Sequence, residues 1–267
     1  LTGTAFTVRS QGNITDDVDR MAAAVRAEDH PIRNVRTGPS FIGGAAAVTG
    51  QVRITDFRDR NGVIPHGGTG AQSQRWVDFL MVMPARPASP AGAPVVVYGH
   101  GITVSKETMV AVAATNAAKG IATVGIDVPN HGSRQNEGGF LLDNTTPKRF
   151  GRLTSMLLQG ELDNLSLLMA VEQHFGRLDV MPWQWWDGRT GDGRPDLDPT
   201  RVLYEGTSMG SFLGASFVAL APELDGAFLQ VGGSGVLDTL YHSVIWLAFT
   251  GIEPRGAKAA DVQALVG

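Results

Sequence analysis

Five consecutive residues in the second half of the chain have the types and spacing of a nucleophilic serine motif. The segment 206–210 reads G-x-S-x-G, with Ser208 at its centre. A serine hydroxyl in this setting can attack an acyl carbon and form a covalent intermediate. The motif by itself is weak evidence because glycine and serine are common residues, and an ordinary serine in a glycine-rich turn is the alternative interpretation.

The residues on both sides of the motif predict the structure that such a serine needs. Residues 201–204 form a short β-favouring run, and residues 211–220 have a helical pattern that ends before a proline. A strand, a sharp turn and a helix in this order place the serine on a strained turn, where Gly206 and Gly210 leave the necessary room. The context therefore predicts that Ser208 is a nucleophile.

A glycine-rich loop upstream could stabilise the negative charge that develops during attack on a carbonyl. It follows residues 94–98, a fully apolar run typical of a strand that is buried on both faces of a parallel sheet. The predicted oxyanion-hole donors are the backbone amides of Ile102 and of Met209, the residue after the candidate nucleophile. His100 and Gly101 are predicted to line the binding site. Taken alone, the loop could equally be a β–α turn in which glycine serves only to permit the backbone conformation.

The residues after this loop predict a βαβ unit. A helix over residues 105–120 and a strand over residues 121–128 follow the buried strand, which predicts a parallel pair with a right-handed crossover. Asp127 and His131 come at the end of the second strand and could act as catalytic partners of a serine. The favoured interpretation gives them a structural role, in a turn that is closed by Gly132.

Together these motifs resemble the α/β-hydrolase superfamily over about residues 75–240. The residues that carry the resemblance are 98–102, 127–132, 198–210 and 229–233. More narrowly, the chain is similar to large bacterial secreted or envelope lipases and esterases, including virulence-factor lipases. The resemblance implies an α/β-hydrolase fold, with a mostly parallel sheet and flanking helices, and the hydrolysis of carboxylic esters through an acyl-enzyme. Thr207 departs from the family, which usually has histidine at this position.

The resemblance also implies a catalytic acid and a histidine that follow the nucleophile along the chain. His242 is the only histidine after Ser208, and its neighbours are apolar, which is typical of a helix face. His242 is therefore a weak candidate for the base. We expect the sequence to be a fragment that lacks an upstream domain or leader and the C-terminal strands, acid and histidine, so that this chain alone is an incomplete enzyme.

Length and composition exclude several other classes of protein. A chain of 267 residues that is 43% hydrophobic and 18% charged is typical of one globular domain. The net charge of −4, without a basic cluster, argues against binding to nucleic acid. No apolar run is long enough to span a bilayer, and the absence of cysteine excludes disulfides and thiol nucleophiles. The expected partner is a small-molecule or lipid ester, and the resemblance implies export to the bacterial envelope or medium.

Within the single domain of residues 1–267, the N-terminal part and one later segment can be told apart. Residues 1–93 are predicted to contain a helix over 15–27 and antiparallel strands over 46–57 and 75–84. Residues 133–152 are long and polar, and such a segment could form a cap over the site.

An acidic loop before the serine strand could bind calcium. Its carboxylates belong to Asp187, Asp192, Asp196 and Asp198. Calcium prefers several oxygen ligands in a flexible loop, but this loop lacks the twelve-residue EF-hand pattern. The alternative is a solvated turn in which Asp198 caps the chain before Pro199. No cofactor is otherwise required for the predicted chemistry.

Two further functions stay open beside the ester hydrolase. A non-catalytic, hydrolase-like domain used for binding or assembly would account for the lack of a base and an acid in this sequence. An amidase or peptidase on the same fold would need the same nucleophile, and the sequence does not separate it from an esterase. The motifs favour the ester hydrolase acting through Ser208.

Overall fold

The fold is taken from a computed structural model that describes residues 11–40, 46–67, 72–135, 137, 150–181 and 191–233. The helices are α1 (Gln11–Ala27), α2 (Val110–Ala118), α3 (Phe150–Gln173) and α4 (Met209–Leu220). The strands are β1 (Ile32–Pro39), β2 (Ala46–Asp56), β3 (Ser73–Met83), β4 (Ala93–Gly99), β5 (Ala122–Ile126), β6 (Leu197–Thr207) and β7 (Gly226–Gln230). Short 3-10 turns occupy Lys106–Met109, Gly132–Arg134 and Phe175–Arg177.

The seven described strands form one sheet with the order β1-β2-β3-β5-β4-β6-β7. Strands β1, β2, β3 and β5 pair antiparallel in succession. Strand β4 pairs parallel with both β5 and β6, and β6 pairs parallel with β7. The predicted parallel strands are therefore confirmed as direct neighbours. Their carboxyl ends share one edge of the sheet, and Ser208 follows β6 at that edge.

Helices cover both faces of the sheet, which explains the apolar strands at its centre. Every residue of β4 and β5 is buried. Val97 and its neighbours on one face pack into the main core with α1 and α3, whereas Tyr98 on the other face packs with Met109 and Ala113. Because both faces of these strands are covered, continuous apolar runs replace the alternating pattern of a half-exposed strand. None of the described helices combines the length and apolar composition needed to cross a bilayer.

A buried network of charged side chains joins the β2–β3 hairpin, α3 and the segment after β5. Arg58 donates to Asp56 at 2.7 Å and to Glu137 at 2.9 Å. Arg134 donates to the same glutamate at 2.8 Å and to Asp163 on α3 at 2.5 Å. Removing one partner leaves an uncompensated buried charge, which typically costs about 3–5 kcal/mol. The network therefore holds the segment after β5 against the helix and the hairpin.

The N-terminal part of the chain agrees with its prediction except for one strand. Helix α1 and the antiparallel strands β2 and β3 are present where the sequence predicted them. Strand β1, which the sequence analysis did not predict, pairs antiparallel with β2 at the edge of the sheet. The predicted cap segment, residues 133–152, lies largely outside the described residues.

Candidate functional site

Ser208 occupies a strained turn between β6 and α4. Its φ of 54° and ψ of −115° lie in a region that residues with a side chain rarely adopt. A methyl group on Gly206 would overlap the carbonyl oxygen of Gly210, and one on Gly210 would overlap the carbonyl oxygen of Gly99. Glycine is therefore required at both motif positions, because β4, β6 and the first turn of α4 come into backbone contact there.

The buried side chain of Tyr204 on β6 packs against this turn and stabilises it. Its hydroxyl donates to the Gly210 carbonyl oxygen at 2.6 Å, and its ring packs against Phe217 with 4.9 Å between the ring centroids. A methyl group on Gly214 would lie 2.5 Å from the tyrosine ring, so the small residue lets α4 approach the sheet. Burial raises the pKa of Tyr204, which keeps the phenol protonated as a donor. This contact fixes the start of α4 and with it the position of Ser208.

The glycine-rich loop after β4 lies directly beside Ser208. We call residues 100–105 the oxyanion loop. A methyl group on Gly101 would lie 3.5 Å from the Ser208 Cβ. His100 Nε2 accepts a hydrogen bond from the Val128 amide at 3.0 Å, so its proton is on Nδ1, which donates to the Gly101 carbonyl oxygen at 2.8 Å. Burial lowers the pKa of His100 to about 4, so the ring is neutral near pH 7.

This arrangement orients the amide that was predicted as an oxyanion donor. The Gly101–Ile102 peptide is trans, so its carbonyl and its N–H point in opposite directions. Because His100 holds the carbonyl, the Ile102 amide points away from the histidine. The amides of Ile102 and Met209 donate no hydrogen bond within the described part of the chain. Their side chains pack in one cluster with Val128. Two backbone donors are thus available next to Ser208.

Backbone strain is concentrated at this edge of the sheet. Five described residues other than glycine have a positive φ, and four of them follow the parallel strands β4 to β7, one after each. They are Thr103, Asn130, Ser208 and Val231. Such conformations persist only where the surrounding structure determines them, and they are frequent at functional sites. Ligands of open α/β sheets bind outside the same carboxyl ends of the strands.

The end of β7 adds apolar surface next to Ser208. The Ser208 amide donates to the Gln230 carbonyl oxygen at 3.0 Å, which places the last strand beside the serine. Val231 comes next and is 78% exposed. Val104 on the oxyanion loop is also exposed. An apolar rim of this kind is suited to the uncharged part of an ester substrate.

No described histidine makes a hydrogen bond to Ser208. His100 is engaged as given above, and His131 Nδ1 bonds the Pro129 carbonyl oxygen at 3.0 Å. The rings of these two histidines pack together at 5.2 Å between centroids. The other described histidines are His30, His66 and His174, and their ring nitrogens bond residues other than Ser208. His242 lies outside the described residues.

Asp127 is fully engaged in contacts within the protein. Its carboxylate accepts hydrogen bonds from the Lys106 ammonium at 2.8 Å and from the Ser133 hydroxyl at 2.9 Å. Together with the contacts of His131, this supports the structural interpretation of the segment after β5. We call residues 127–133 the β5 loop.

The comparisons with known proteins agree with this architecture. No protein-family model matches the chain, and no curated protein was found to be similar to it. Among solved structures, the acetyl xylan esterase from Paenibacillus sp. R4 superposes with a TM-score of 0.51 at 14% identity, over 94% of this chain and 70% of that chain. The present chain has the α/β-hydrolase fold.

Other structures that are similar to this hydrolase fold are esterases and lipases. Acetyl xylan esterase 1 from Thermoanaerobacterium sp. JW/SL YS485 has a TM-score of 0.45 at 14% identity, over 94% of this chain and 70% of that chain. Lipase A from Candida antarctica has a TM-score of 0.41 at 15% identity, over 77% and 43%. The narrower resemblance to secreted virulence-factor lipases stays a prediction.

The acidic loop of this α/β-hydrolase fold shows no assembled calcium site in its described part. Asp196 accepts hydrogen bonds from the amides of Val180 and Met181, and Asp198 accepts them from the amide and hydroxyl of Thr200. Asp192 accepts from the Arg194 amide, and Asp187 lies outside the described residues. Over the ranges that the structure describes, no three acidic or histidine side chains converge as metal ligands. The carboxylates of Asp192, Asp196 and Asp198 cap backbone turns.

Several features of the site were not predicted from the sequence. They are the support from Tyr204, the strain at Thr103 and Val231, and the role of His100 in holding the Gly101 carbonyl. The glycines at positions 99 and 214, which lie against Tyr204, are the one sequence signal that indicates a large side chain packed beneath the turn. Backbone strain at Thr103 has no signal in a single sequence.

Proposed function

We propose that this protein is a carboxylic-ester hydrolase in which Ser208 is the nucleophile and forms an acyl-enzyme. The observation that carries the proposal is the strained conformation of Ser208 beside two available amides, those of Ile102 and Met209. An ordinary serine in a glycine-rich turn has no need of either feature. The acetyl xylan esterase that superposes on this chain with a TM-score of 0.51 supports the same chemistry.

In the proposed reaction, Ser208 Oγ forms a bond to the ester carbonyl carbon and its proton passes to a general base. The carbonyl oxygen becomes an oxyanion, which the Ile102 and Met209 amides stabilise by hydrogen bonding. The amino end of α4 points at the same place and adds a favourable dipole. When the tetrahedral intermediate collapses, the alcohol leaves with the proton. A water molecule then attacks the acyl-enzyme in the same way and releases the acid.

The general base and its carboxylate partner are proposed to come from outside the described residues. None of the described histidines makes a hydrogen bond to Ser208, and each has a ring nitrogen bonded to another residue. His242 is one candidate, and a histidine in a further C-terminal segment of the same protein is the other. The substrate is proposed to be a small-molecule or lipid ester, at the bacterial envelope or outside the cell. Neither calcium nor another cofactor has a step in this reaction.

A non-catalytic binding domain is the second candidate, since no described histidine contacts Ser208. The two are separated by measuring p-nitrophenyl ester hydrolysis with the full-length natural protein. We expect Ser208→Ala to lower kcat by about 10³-fold or more, because the nucleophile is lost. Ser211→Ala is the control, one helical turn away and buried, whereas Ser208 is half-buried, and this variant should keep activity. A wild-type protein without Ser208-dependent hydrolysis would favour the binding domain.

The same assay identifies the base. If it lies in a further segment, His242→Ala keeps most of the activity. A loss of about 10³-fold in this variant, with a normal thermal midpoint, would instead make His242 the base. Comparing p-nitrophenyl esters with the matching anilides tests the amidase alternative, since an amidase would cleave both.

A further inference from the structure

The carboxylate of Asp127 joins the β5 loop to the end of the oxyanion loop, which lies beside Ser208. Asp127 is 0% exposed, and its oxygens accept four hydrogen bonds. Oδ1 accepts from the Lys106 amide at 2.7 Å. Oδ2 accepts from the Lys106 ammonium at 2.8 Å, and from the Ser133 amide and hydroxyl at 2.9 Å each. A carboxylate this fully occupied has no capacity left to orient a catalytic histidine.

The contacts keep Asp127 ionised. Burial alone would raise the pKa of Asp127, but the hydrogen bonds from Lys106 and Ser133 outweigh it, and the pKa lies below its usual range. A methyl group on Gly132 would overlap the carboxylate, and this glycine has a φ of +49°. The β5 loop thus packs closely around the Asp127 carboxylate, which stays ionised.

The oxyanion loop is held at both of its ends by the β5 loop. At its start, His100 accepts from the Val128 amide at 3.0 Å. Just after its end, the Lys106 amide donates to Asp127. The strained residue Thr103, with a φ of 63°, and the Ile102 amide lie between these two contacts. Strain of this kind persists only while the surrounding contacts maintain it.

We propose that Asp127 is a positioning residue of the hydrolase, which keeps the Ile102 amide directed at the substrate carbonyl oxygen without touching the substrate. The inference depends on the proposed function, since it assigns a role within the same site. Loss of one oxyanion donor typically costs about 10²–10³-fold in kcat. Substrate binding involves other contacts, so KM should change little.

The test is Asp127→Asn in the full-length protein, measured on a p-nitrophenyl ester and on the matching thionoester. Sulfur accepts hydrogen bonds weakly, so the thionoester gains little from an oxyanion hole. The new amide group of the variant faces the donors of Lys106 and Ser133, which weakens the link between the β5 loop and the oxyanion loop. We expect kcat on the ester to fall about 100-fold with KM within about threefold, and the ester-to-thionoester rate ratio to fall about tenfold or more.

A matched control separates positioning from a general loss of stability. Asp198 is also buried, with 6% of its surface exposed, and accepts a hydrogen bond from the Thr200 hydroxyl at 2.6 Å at the amino end of β6, away from the oxyanion loop. Asp198→Asn should lower the thermal midpoint and leave the rate ratio unchanged. If Asp127→Asn does not fold, Ser133→Ala removes one of the four hydrogen bonds without adding a donor. It should lower kcat about three- to tenfold, with a lower rate ratio.

Each outcome decides one point. A lower rate ratio in the Asp127 or Ser133 variant, with the ratio retained in Asp198→Asn, supports the inference. A wild-type ratio in the folded variants overturns it and leaves the proposed function intact. A wild-type protein without Ser208-dependent hydrolysis overturns both.

Discussion

Replacing Glu161 by glutamine should stabilise the protein at pH 8 and change its stability little at pH 4.5. Glu161 lies on α3 and is 8% exposed. Its only hydrogen-bond partner among the described residues is the Ser216 hydroxyl on α4, which donates at 2.7 Å. No described cation forms an ion pair with it. Glutamine has nearly the same shape and carries no charge to bury.

The magnitude follows from the pKa of the buried group. Burial raises the pKa of Glu161 from 4.5 to about 7, against a smaller opposite effect of the Ser216 hydrogen bond. At 1.36 kcal/mol for each pH unit, the difference corresponds to about 3 kcal/mol. Between pH 4.5 and 7, folded Glu161 keeps a proton that the unfolded chain has lost. The free energy of unfolding therefore falls as pH rises through this window. Above about pH 7 it does not fall further on account of Glu161.

The assay is urea or thermal unfolding of the wild type and Glu161→Gln at pH 4.5 and pH 8. We expect the variant to be more stable by about 3 kcal/mol at pH 8, or about 2–4 °C in Tm for each kcal/mol, and by little at pH 4.5. Glu205→Gln is the matched control. Glu205 is equally buried, but its carboxylate accepts hydrogen bonds from the side-chain amides of Asn116 at 3.1 Å and Gln230 at 2.6 Å.

In this control the new amide group would face one of those donors, so Glu205→Gln should destabilise the protein at both pH values. Equal stability of Glu161→Gln and the wild type at pH 8 would refute the reasoning. A gain of the same size at pH 4.5 would also refute it, because the stability difference would then not come from the charge of the Glu161 carboxylate.

Two further predictions concern the turn at Ser208. Ser208→Gly should be about 1 kcal/mol more stable than Ser208→Ala in urea unfolding, since glycine alone adopts a φ of 54° and a ψ of −115° without strain; equal stabilities would show that the turn is unstrained. Gly210→Ala should destabilise by more than about 3 kcal/mol because its methyl group would overlap the Gly99 carbonyl. Gly38→Ala, whose methyl group would meet nothing within 4 Å, should stay within about 0.5 kcal/mol, and similar losses in both variants would contradict the packing argument.

The central strands could be predicted from the sequence because their burial leaves a continuous apolar run, as in residues 94–98. Strand β1 was missed because it is an edge strand, and Arg33, Asn34 and Arg36 point to solvent. The early start of β6 was missed because Pro199 indicates a turn. Here the pairing with β4 shifts register after Pro94, which accommodates the proline.

In the candidate site too, features with a local sequence motif could be predicted, and features made by tertiary contacts could not. Ser208 and the oxyanion loop carry local motifs, so sequence spacing was sufficient to place them together. The four hydrogen bonds of Asp127 join residues that only the fold brings together, so a single sequence carries no signal for them. The left-handed backbone at Val231 likewise has no signal in the sequence, since a β-branched residue disfavours this conformation.

Covalent labelling shows directly whether Ser208 is the nucleophile. The full-length natural protein is treated with a fluorophosphonate, and the modified residue is located by peptide mass spectrometry. We expect one adduct for each chain, on Ser208, and none in Ser208→Ala. An adduct on Ser211 or another serine with Ser208 unmodified, or no adduct in folded wild-type protein, would contradict it.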